Sequence, residues 1–134
     1  IIAHCEDGRR AVSYGGAWTR EARLRAPVRS LGNFTIMADT VPPTITVERF
    51  SANMRGWESF SFRLSDNFPT AGKARDLRFR AEVDGQWILM EYDGRKRRLY
   101  HEFEGKIPPG EHELVLRVVD DRGNETVYQK RFTR

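Results

Sequence analysis

The sequence predicts an all-β fold, an immunoglobulin-like antiparallel β-sandwich with a short N-terminal β segment. Three observations predict it. Apolar and polar residues alternate from residue 44 onward, which is the period of a half-buried strand. Turn-forming pairs such as Asp84-Gly85 separate the alternating runs, and no long run has the helical period of 3.6 residues. About seven strands in roughly 90 residues are typical of an immunoglobulin-like sandwich.

The first 38 residues predict four short strands with glycine-containing turns between them. Gly15-Gly16, Gly32-Asn33 and the looser signal Asp7-Gly8 supply the turns. The predicted strands are Ile1–Cys5, Ala11–Tyr14, Ala22–Val28 and Phe34–Ala38. Two interpretations stay open for this segment, the end of a preceding module or a small sheet docked on the sandwich.

Residues 39–43, Asp39-Thr40-Val41-Pro42-Pro43, predict a joint. Consecutive prolines fix φ and remove two backbone donors, and each pushes the residue before it into an extended conformation. The alternating strand that follows begins at Thr44. We therefore divide the chain into a β segment at 1–38, a Pro-Pro joint at 39–43 and a β-sandwich at 44–134.

The clearest strand of the sandwich covers Leu77–Val83. Its alternation predicts that Phe79 points into the core and that Arg78 and Arg80 point outward. Ile45 with Val47, the run Phe60, Phe62 and Leu64, and the run Leu114, Leu116 and Val118 also predict inward faces, whereas Ser61 is assigned to the outer face. Trp87-Ile88-Leu89-Met90 is apolar on both faces, so this strand is expected to be covered on both sides or partly exposed.

The composition is that of an ordered globular chain, with 39% hydrophobic and 31% charged residues. No apolar run approaches the roughly 20 residues that span a bilayer. The first residue is Ile and no signal-peptide core is present, so we expect a piece of a longer protein. Cys5 is the single cysteine; no internal disulfide can form, and a small buried strand residue is expected rather than a catalytic thiol.

The net charge is +4, and cationic residues concentrate in two regions. One contains Arg20, Arg23, Arg25 and Arg29, and the other is Arg95-Lys96-Arg97-Arg98. The second follows Asp93-Gly94, which predicts a solvated turn. A nucleic-acid partner is disfavoured because charge alone steers a ligand and no base-reading element is present.

Two weak groups of site residues stand out. Asp66, Asp120, Asp121 and Asn124 lie in oxygen-rich turns and are candidates for Ca²⁺, which takes six to eight oxygens. The favoured alternative is that they cap their own turns, with Gly123 at positive φ, so no metal and no cofactor is predicted. Candidates for contact with a glycan are Trp87, Tyr92, Arg95, Arg97 and Arg98. For the tryptophans the favoured alternative is packing in the core or at the joint, with Trp87 the best candidate for exposure.

Several blocks of the sequence together resemble a known family. Residues 28–34 lead into Asp39–Ile45, residues 83–93 follow, and Gly110–Leu114 and Asp120–Asn124 complete the pattern. This arrangement resembles the C-terminal, non-catalytic region of lysostaphin-like zinc metallopeptidases of the Bacteroidetes group. The resemblance implies β-sandwich modules that follow a peptidase domain in a secreted or cell-envelope protein, whether periplasmic, outer-membrane-associated or extracellular.

The zinc ligands of that family are not in this sequence. Its peptidase domain uses an H-x-x-x-D motif and an H-x-H motif, and the three histidines here, His4, His101 and His112, match neither. No G-x-S-x-G elbow or P-loop occurs either, so we predict no enzyme activity and no catalytic residues. The leading hypothesis is an accessory domain that positions neighbouring domains of the same polypeptide; the alternative is a binding module for an envelope glycan or peptidoglycan.

Overall fold

The protein is described by a computed structural model, which covers residues 1–6, 10–71 and 76–134. The described residues form antiparallel β-strands and no helix, so the predicted all-β class is confirmed. The described part of the chain accordingly contains no helix that is long and apolar enough to cross a membrane. The strands are β1 Ile2–Glu6, β2 Arg10–Ser13, β3 Ala17–Trp18, β4 Leu24–Arg25, β5 Phe34–Ile36, β6 Thr44–Arg49, β7 Ser59–Ser65, β8 Arg78–Val83, β9 Gln86–Ile88, β10 Glu91–Asp93, β11 Arg98–Glu102, β12 Glu111–Val119 and β13 Glu125–Thr133.

Two four-stranded sheets form the sandwich. One sheet has the order β10-β11-β7-β6 and the other the order β13-β12-β8-β9. The first strand, β6, begins at Thr44, directly after the two prolines, as predicted. The chain crosses between the sheets at Leu89 and Met90, which join the edge strands β9 and β10.

The core between the sheets is built largely from phenylalanine and leucine. Phe60, Phe62 and Leu64 of β7 are fully buried, and so are Leu114 and Leu116 of β12. Rings from both sheets meet there, since Tyr128 of β13 lies 5.0 Å from Phe62 between ring centroids. Burying one such side chain contributes about 1.5–3 kcal/mol, so these strands carry much of the stability of the sandwich.

The predicted register of β8 is confirmed. Ala81 and Val83 are buried, Phe79 is half-buried against Tyr92 at 5.7 Å, and the side chains of Arg78 and Arg80 are exposed. The turn that follows has positive φ at both central residues, 52° at Asp84 and 76° at Gly85. That is the type I′ hairpin that the sequence predicts between β8 and β9.

The favoured packing of the tryptophans is wrong for Trp18, whereas Trp87, the best candidate for exposure, is exposed as expected. Trp18 is 71% exposed on the two-residue strand β3, and Trp87 is 58% exposed on the edge strand β9. Trp57 is half-buried beneath the guanidinium of Arg49, 5.0 Å from the ring centroid. Trp18 and Trp87 lie on strands with one free edge, whereas Phe60 and Phe62 lie on the central strand β7.

The alternation rule also fails at Val47 and Ser61. Val47 is exposed because β6 is an edge strand whose register shifts between Val47 and Arg49. Alternation places Ser61 on the solvated face, but it is buried, because the side chain of Arg98 covers it and donates from Nη2 to Ser61 Oγ at 3.2 Å. A long arginine on a neighbouring strand thus removes a small polar residue from water.

The N-terminal segment forms a three-stranded sheet of order β2-β1-β5, and β3 pairs with β4 in a separate hairpin. The strand predicted at 22–28 shrinks to Leu24–Arg25, because Ala22 has a φ of 57° and turns the chain. Cys5 is half-buried rather than buried. The turn predicted at Asp7-Gly8 lies outside the described residues.

Hydrogen bonds join the N-terminal segment and the joint to the sandwich and its loops. The N–H of Ser13 donates to the carbonyl of Pro69 and its carbonyl accepts from the N–H of Ala71, both at 2.8 Å. Arg122 Nη1 donates to the carbonyl of Gly16 at 3.0 Å. Asn124 Nδ2 donates to the carbonyl of Asp39, in the joint, at 3.2 Å. The segment therefore contacts the sandwich; whether the two parts fold separately remains a prediction.

Candidate functional site

A cleft of about 370 Å³ opens between the β8–β9 hairpin and the segment that connects β11 to β12. Trp87 and Leu89 line it, and both side chains are more than half exposed. Ile107 and Pro108 of the connecting segment line it as well. Its size and mixed lining are those of a small-ligand site.

Trp87 reaches the cleft because of the strand on which it lies. Residues 87–90 are apolar on both faces, but β9 is an edge strand of three residues that pairs only with β8. The chain then changes sheets, which buries Met90 and leaves Trp87 and Leu89 in water. An exposed indole next to a cavity is a large apolar surface with one hydrogen-bond donor.

His101 lies at the base of this region and is 4% exposed. Its Nδ1 lies 2.7 Å from the carbonyl of Leu89, which can only accept, so Nδ1 carries the proton. Burial lowers the pKa of His101, and the ring is therefore neutral. Nε2 is a buried acceptor without a hydrogen-bond partner among the described residues.

His112 lies on the other side of the cleft and pairs with Asp84. Its Nδ1 is 2.6 Å from Asp84 Oδ2 and its Nε2 is 2.8 Å from the carbonyl of Pro108. Burial of the ring opposes the charge, but these two bonds and the charge of Asp84 outweigh it, so the pKa of His112 is raised. The same hydrogen bond, with the N–H of Glu113, lowers the pKa of Asp84.

The rim of the cleft is acidic although the whole chain is basic. Four carboxylates line it, against one lysine and His112; they belong to Asp84, Glu91, Glu102 and Glu104. Lys106 is paired with Glu104 at 2.8 Å. The cleft therefore disfavours anionic ligands and favours a neutral or cationic ligand that donates hydrogen bonds.

The five predicted glycan-contact residues do not form one surface. Trp87 lines the cleft, whereas Tyr92 and Arg97 line a different cavity of about 170 Å³ beside Asp66. Arg98 is an outer-face residue of β11 whose Nε lies 3.1 Å from Glu48 Oε2. Arg95 is exposed in the turn that Asp93 caps by accepting the N–H of Arg95 at 3.0 Å.

The predicted acidic turns do converge, and a residue that the sequence analysis left out joins them. Asp39, Asp66 and Asp120 each offer a carboxylate oxygen, and these oxygens lie within 4.8 Å of one another. Burial raises the pKa of Asp66 to about 6; the N–H of Asn67 opposes this, and the charges of Asp39, Asp120 and Asp121 add to it. This acidic cluster lies where the joint meets the β7–β8 loop and the β12–β13 turn.

Turn capping, the favoured interpretation, is also present in this cluster. Oδ1 of Asp120 accepts the N–H groups of Arg122, Gly123 and Asn124 at 2.7, 2.7 and 2.9 Å, and Gly123 has the expected positive φ of 95°. Oδ2 of Asp120 accepts from Asn124 Nδ2 at 2.6 Å. Asp121 is paired with Arg122 at 3.0 Å and so has its own counter-charge.

Sequence reasoning missed Asp39, His101 and the rim carboxylates Glu91, Glu102 and Glu104. Asp39 lies three residues before the two prolines, a pattern that indicates a stiff, extended chain and says nothing about a ligand carboxylate. The other four come from strands and loops that only the tertiary fold brings to the cleft.

A scan of the sequence against protein-family models gives no match, and a search of the curated proteins gives none either.

Proposed function

We propose that this chain is a non-catalytic binding and positioning module of a secreted or cell-envelope protein, and that the Trp87 cleft binds the saccharide part of an envelope polymer. One observation carries the proposal, the 58% exposed indole of Trp87 at the edge of a cleft of about 370 Å³. The setting in the bacterial envelope, next to a peptidoglycan-directed metallopeptidase, follows from the sequence resemblance.

The chemistry of the cleft suits a sugar. A pyranose ring has an apolar face of C–H groups, which packs on an indole, and hydroxyls that donate to carboxylates. Trp87 and Leu89 supply the apolar surface, and Glu91 and Glu102 lie on the rim. The excess of carboxylates weighs against phosphate-bearing ligands in this cleft. Nucleic acid on the basic surface is the less favoured alternative, because charge alone steers a ligand without specifying it.

The hydrogen bonds of the two cleft histidines support a non-catalytic role. Both ring nitrogens of His112 are engaged, by Asp84 and by Pro108. Nδ1 of His101 is held by Leu89, and its Nε2 is buried. A general base needs a ring nitrogen within reach of a substrate proton, and neither residue offers one at the surface of the cleft.

The order of the strands supports an immunoglobulin-like class for the sandwich. Immunoglobulin-like domains place strands A, B, E and D in one sheet and C, F and G in the other. The order β6-β7-β11-β10 corresponds to A-B-E-D, and β8-β12-β13 corresponds to C-F-G with β9 as an added strand beside C. The Trp87 cleft then lies at the open edge between the added strand and strand D.

Exposed apolar side chains, most of them in the N-terminal part of the chain, support the positioning role. Large apolar side chains stay exposed between residues 18 and 47, and they are Trp18, Val28, Leu31, Ile36, Val41 and Val47. Leu31 is fully exposed. We propose that a neighbouring module covers these side chains. Hydrogen exchange at residues 28–36 should slow in a longer polypeptide that contains the upstream module, and unchanged exchange would contradict this role.

The glycan proposal is tested by isothermal titration of the whole chain with soluble oligomers of N-acetylglucosamine. Trp87→Ala should weaken binding about tenfold or more, because it removes the central apolar contact. Trp18→Ala is the matched control, since it removes an exposed tryptophan that does not line the cleft, and it should bind like the unaltered chain. Equal affinity of the two variants, or no binding at millimolar oligomer, would overturn the proposal. Retention on insoluble peptidoglycan at moderate salt should follow the same ranking.

A further inference from the structure

The joint and two loops of the sandwich bring three carboxylates together. Asp39 belongs to the joint, Asp66 follows β7, and Asp120 follows β12. Among the described residues none of the three makes a salt bridge, whereas their neighbour Asp121 is paired with Arg122. Like charges at this separation repel one another strongly when they are partly withdrawn from water.

One carboxylate oxygen of Asp39 also points to a bound cation, because it is buried without a donor among the described residues. Asp39 Oδ1 accepts from Asn67 Nδ2 at 3.2 Å and from the N–H of Val41 at 3.4 Å. Its Oδ2 is buried and has no hydrogen-bond partner within the described part of the chain. A buried carboxylate oxygen without a donor costs free energy, and a bound cation removes that cost.

The dimensions of the cluster fit calcium. Calcium binds oxygens at about 2.4 Å, so two ligand oxygens on one ion are at most about 4.8 Å apart. The three carboxylates of the acidic cluster meet that limit without any movement. A cavity of about 170 Å³ next to Asp66 and Asp121 has room for the water ligands that would complete six to eight oxygens.

We propose that Asp39, Asp66 and Asp120 form a Ca²⁺ site that ties the joint to the β7–β8 loop and the β12–β13 turn. Asp39 supplies the free Oδ2, Asp66 supplies the carboxylate nearest the cavity, and Asp120 supplies remaining lone pairs while it holds its turn. The ion links residues 39–43 to the sandwich, so calcium controls how firmly the N-terminal segment is fixed. This site is separate from the Trp87 cleft and does not depend on the glycan proposal.

The test uses the whole chain freed of metal by chelation and titrated with Ca²⁺, both by calorimetry and by thermal melting. We expect one equivalent of calcium to bind and to raise the melting temperature, with Mg²⁺ much weaker because it requires shorter, octahedral contacts. Asp39→Asn keeps the size of the side chain and removes one charge, so it should weaken calcium binding roughly tenfold or more. Without calcium the same variant should melt at or above the temperature of the unaltered chain, because repulsion is relieved.

Asp93→Asn is the matched control, a turn aspartate outside the acidic cluster, and it should keep the full calcium response. Asp66→Asn serves as a second cluster variant should Asp39→Asn fail to fold, and it should also lose the response. No calcium binding at millimolar concentration would overturn the proposal. Binding that survives both Asp39→Asn and Asp66→Asn would overturn it as well, because the ion would then lie elsewhere.

Discussion

At the scale of single residues, Asp120 determines the shape of the β12–β13 turn. It is 1% exposed, and one of its oxygens accepts three consecutive backbone N–H groups. A buried carboxylate is normally costly, but charge-assisted bonds from donors fixed in one turn compensate for its lost hydration. The Asp120-Asp121-Arg122-Gly123-Asn124 sequence predicted this turn, because aspartate and glycine have defined places in it.

Replacing Asp120 by alanine should therefore strongly destabilise the fold, even in the absence of calcium. It leaves three partly buried N–H groups without their acceptor, and we expect a loss of about 3 kcal/mol in the free energy of unfolding. Asp121→Ala, the adjacent control, breaks the pair with Arg122 but leaves Arg122 partly exposed and bonded to the carbonyl of Gly16, so it should cost less, about 1.5 kcal/mol. Urea unfolding in chelator measures both. Similar losses in the two variants would contradict the capping role of Asp120.

The Asp84–His112 pair should make stability depend on pH. Its folded-state pKa values lie above 6.5 for His112 and below 3.8 for Asp84, so the folded state holds the His112 proton more tightly than the unfolded state does. The stabilisation is fully present between pH 3.8 and pH 6.5, the ordinary pKa values of the two groups. It is lost as the pH rises through the raised pKa of His112, and again as the pH falls through the lowered pKa of Asp84.

Asparagine also tolerates the positive φ of 52° at position 84, so Asp84→Asn keeps the turn and removes the charge. Its deficit in unfolding free energy should be larger near about pH 5.5 than near about pH 8.5. Asp93→Asn, the same change in the next hairpin turn, should show no such difference. Urea unfolding at both pH values measures this, and a deficit of Asp84→Asn that is the same at both would argue against the pair.

At the scale of elements, position in the sheet decides how well the sequence pattern works. In β8, a central strand, alternation correctly places Phe79 inward and Arg78 outward. In β6, an edge strand, the same rule fails at Val47, because a register shift turns the strand. Alternation gives the period of a strand but not its neighbours, and exposure depends on the neighbours.

Substitutions in β8 test its register. Phe79→Asp places a carboxylate against Tyr92 and the edge of the core, and we expect it to cost about 3 kcal/mol. Arg78→Ala removes an exposed side chain and should change stability by about 0.5 kcal/mol or less. Chemical unfolding of both variants checks this. Equal losses would mean that the two side chains do not lie on opposite faces.

At the scale of the whole molecule, the sequence predicted the sandwich well and the sites poorly. The strands, the Asp84-Gly85 hairpin and the start at Thr44 follow from local rules on period and turn residues. The Trp87 cleft and the acidic cluster bring together residues from distant segments, such as Asp39 with Asp120. Such contacts depend on strand order and on loop paths, which no local pattern encodes.

The position of the joint predicts how a chain shortened at residues 39–43 will fold. A chain that starts near Val41 contains both sheets and should unfold cooperatively, whereas residues 1–38 alone should be unstructured, because they are too few to bury a core. Loss of residues 1–38 removes the Ser13 bonds to Pro69 and Ala71 and should lower stability by about 2 kcal/mol. Circular dichroism and thermal melting of the shortened chain measure this. A shortened chain that does not fold would show that Pro42-Pro43 is a bend inside one domain.

The central claim, a saccharide-binding cleft at the open edge of the sandwich, is tested most directly by mapping where the ligand binds. The measurement is a ¹H–¹⁵N correlation spectrum of the whole chain during titration with oligomers of N-acetylglucosamine. We predict shifts at the Trp87 indole N–H, along Gln86–Leu89 and in residues 102–108, with the spectrum elsewhere unchanged. Shifts centred on the Arg95–Arg98 turn or on Trp18, or no shifts at millimolar ligand, would contradict the claim.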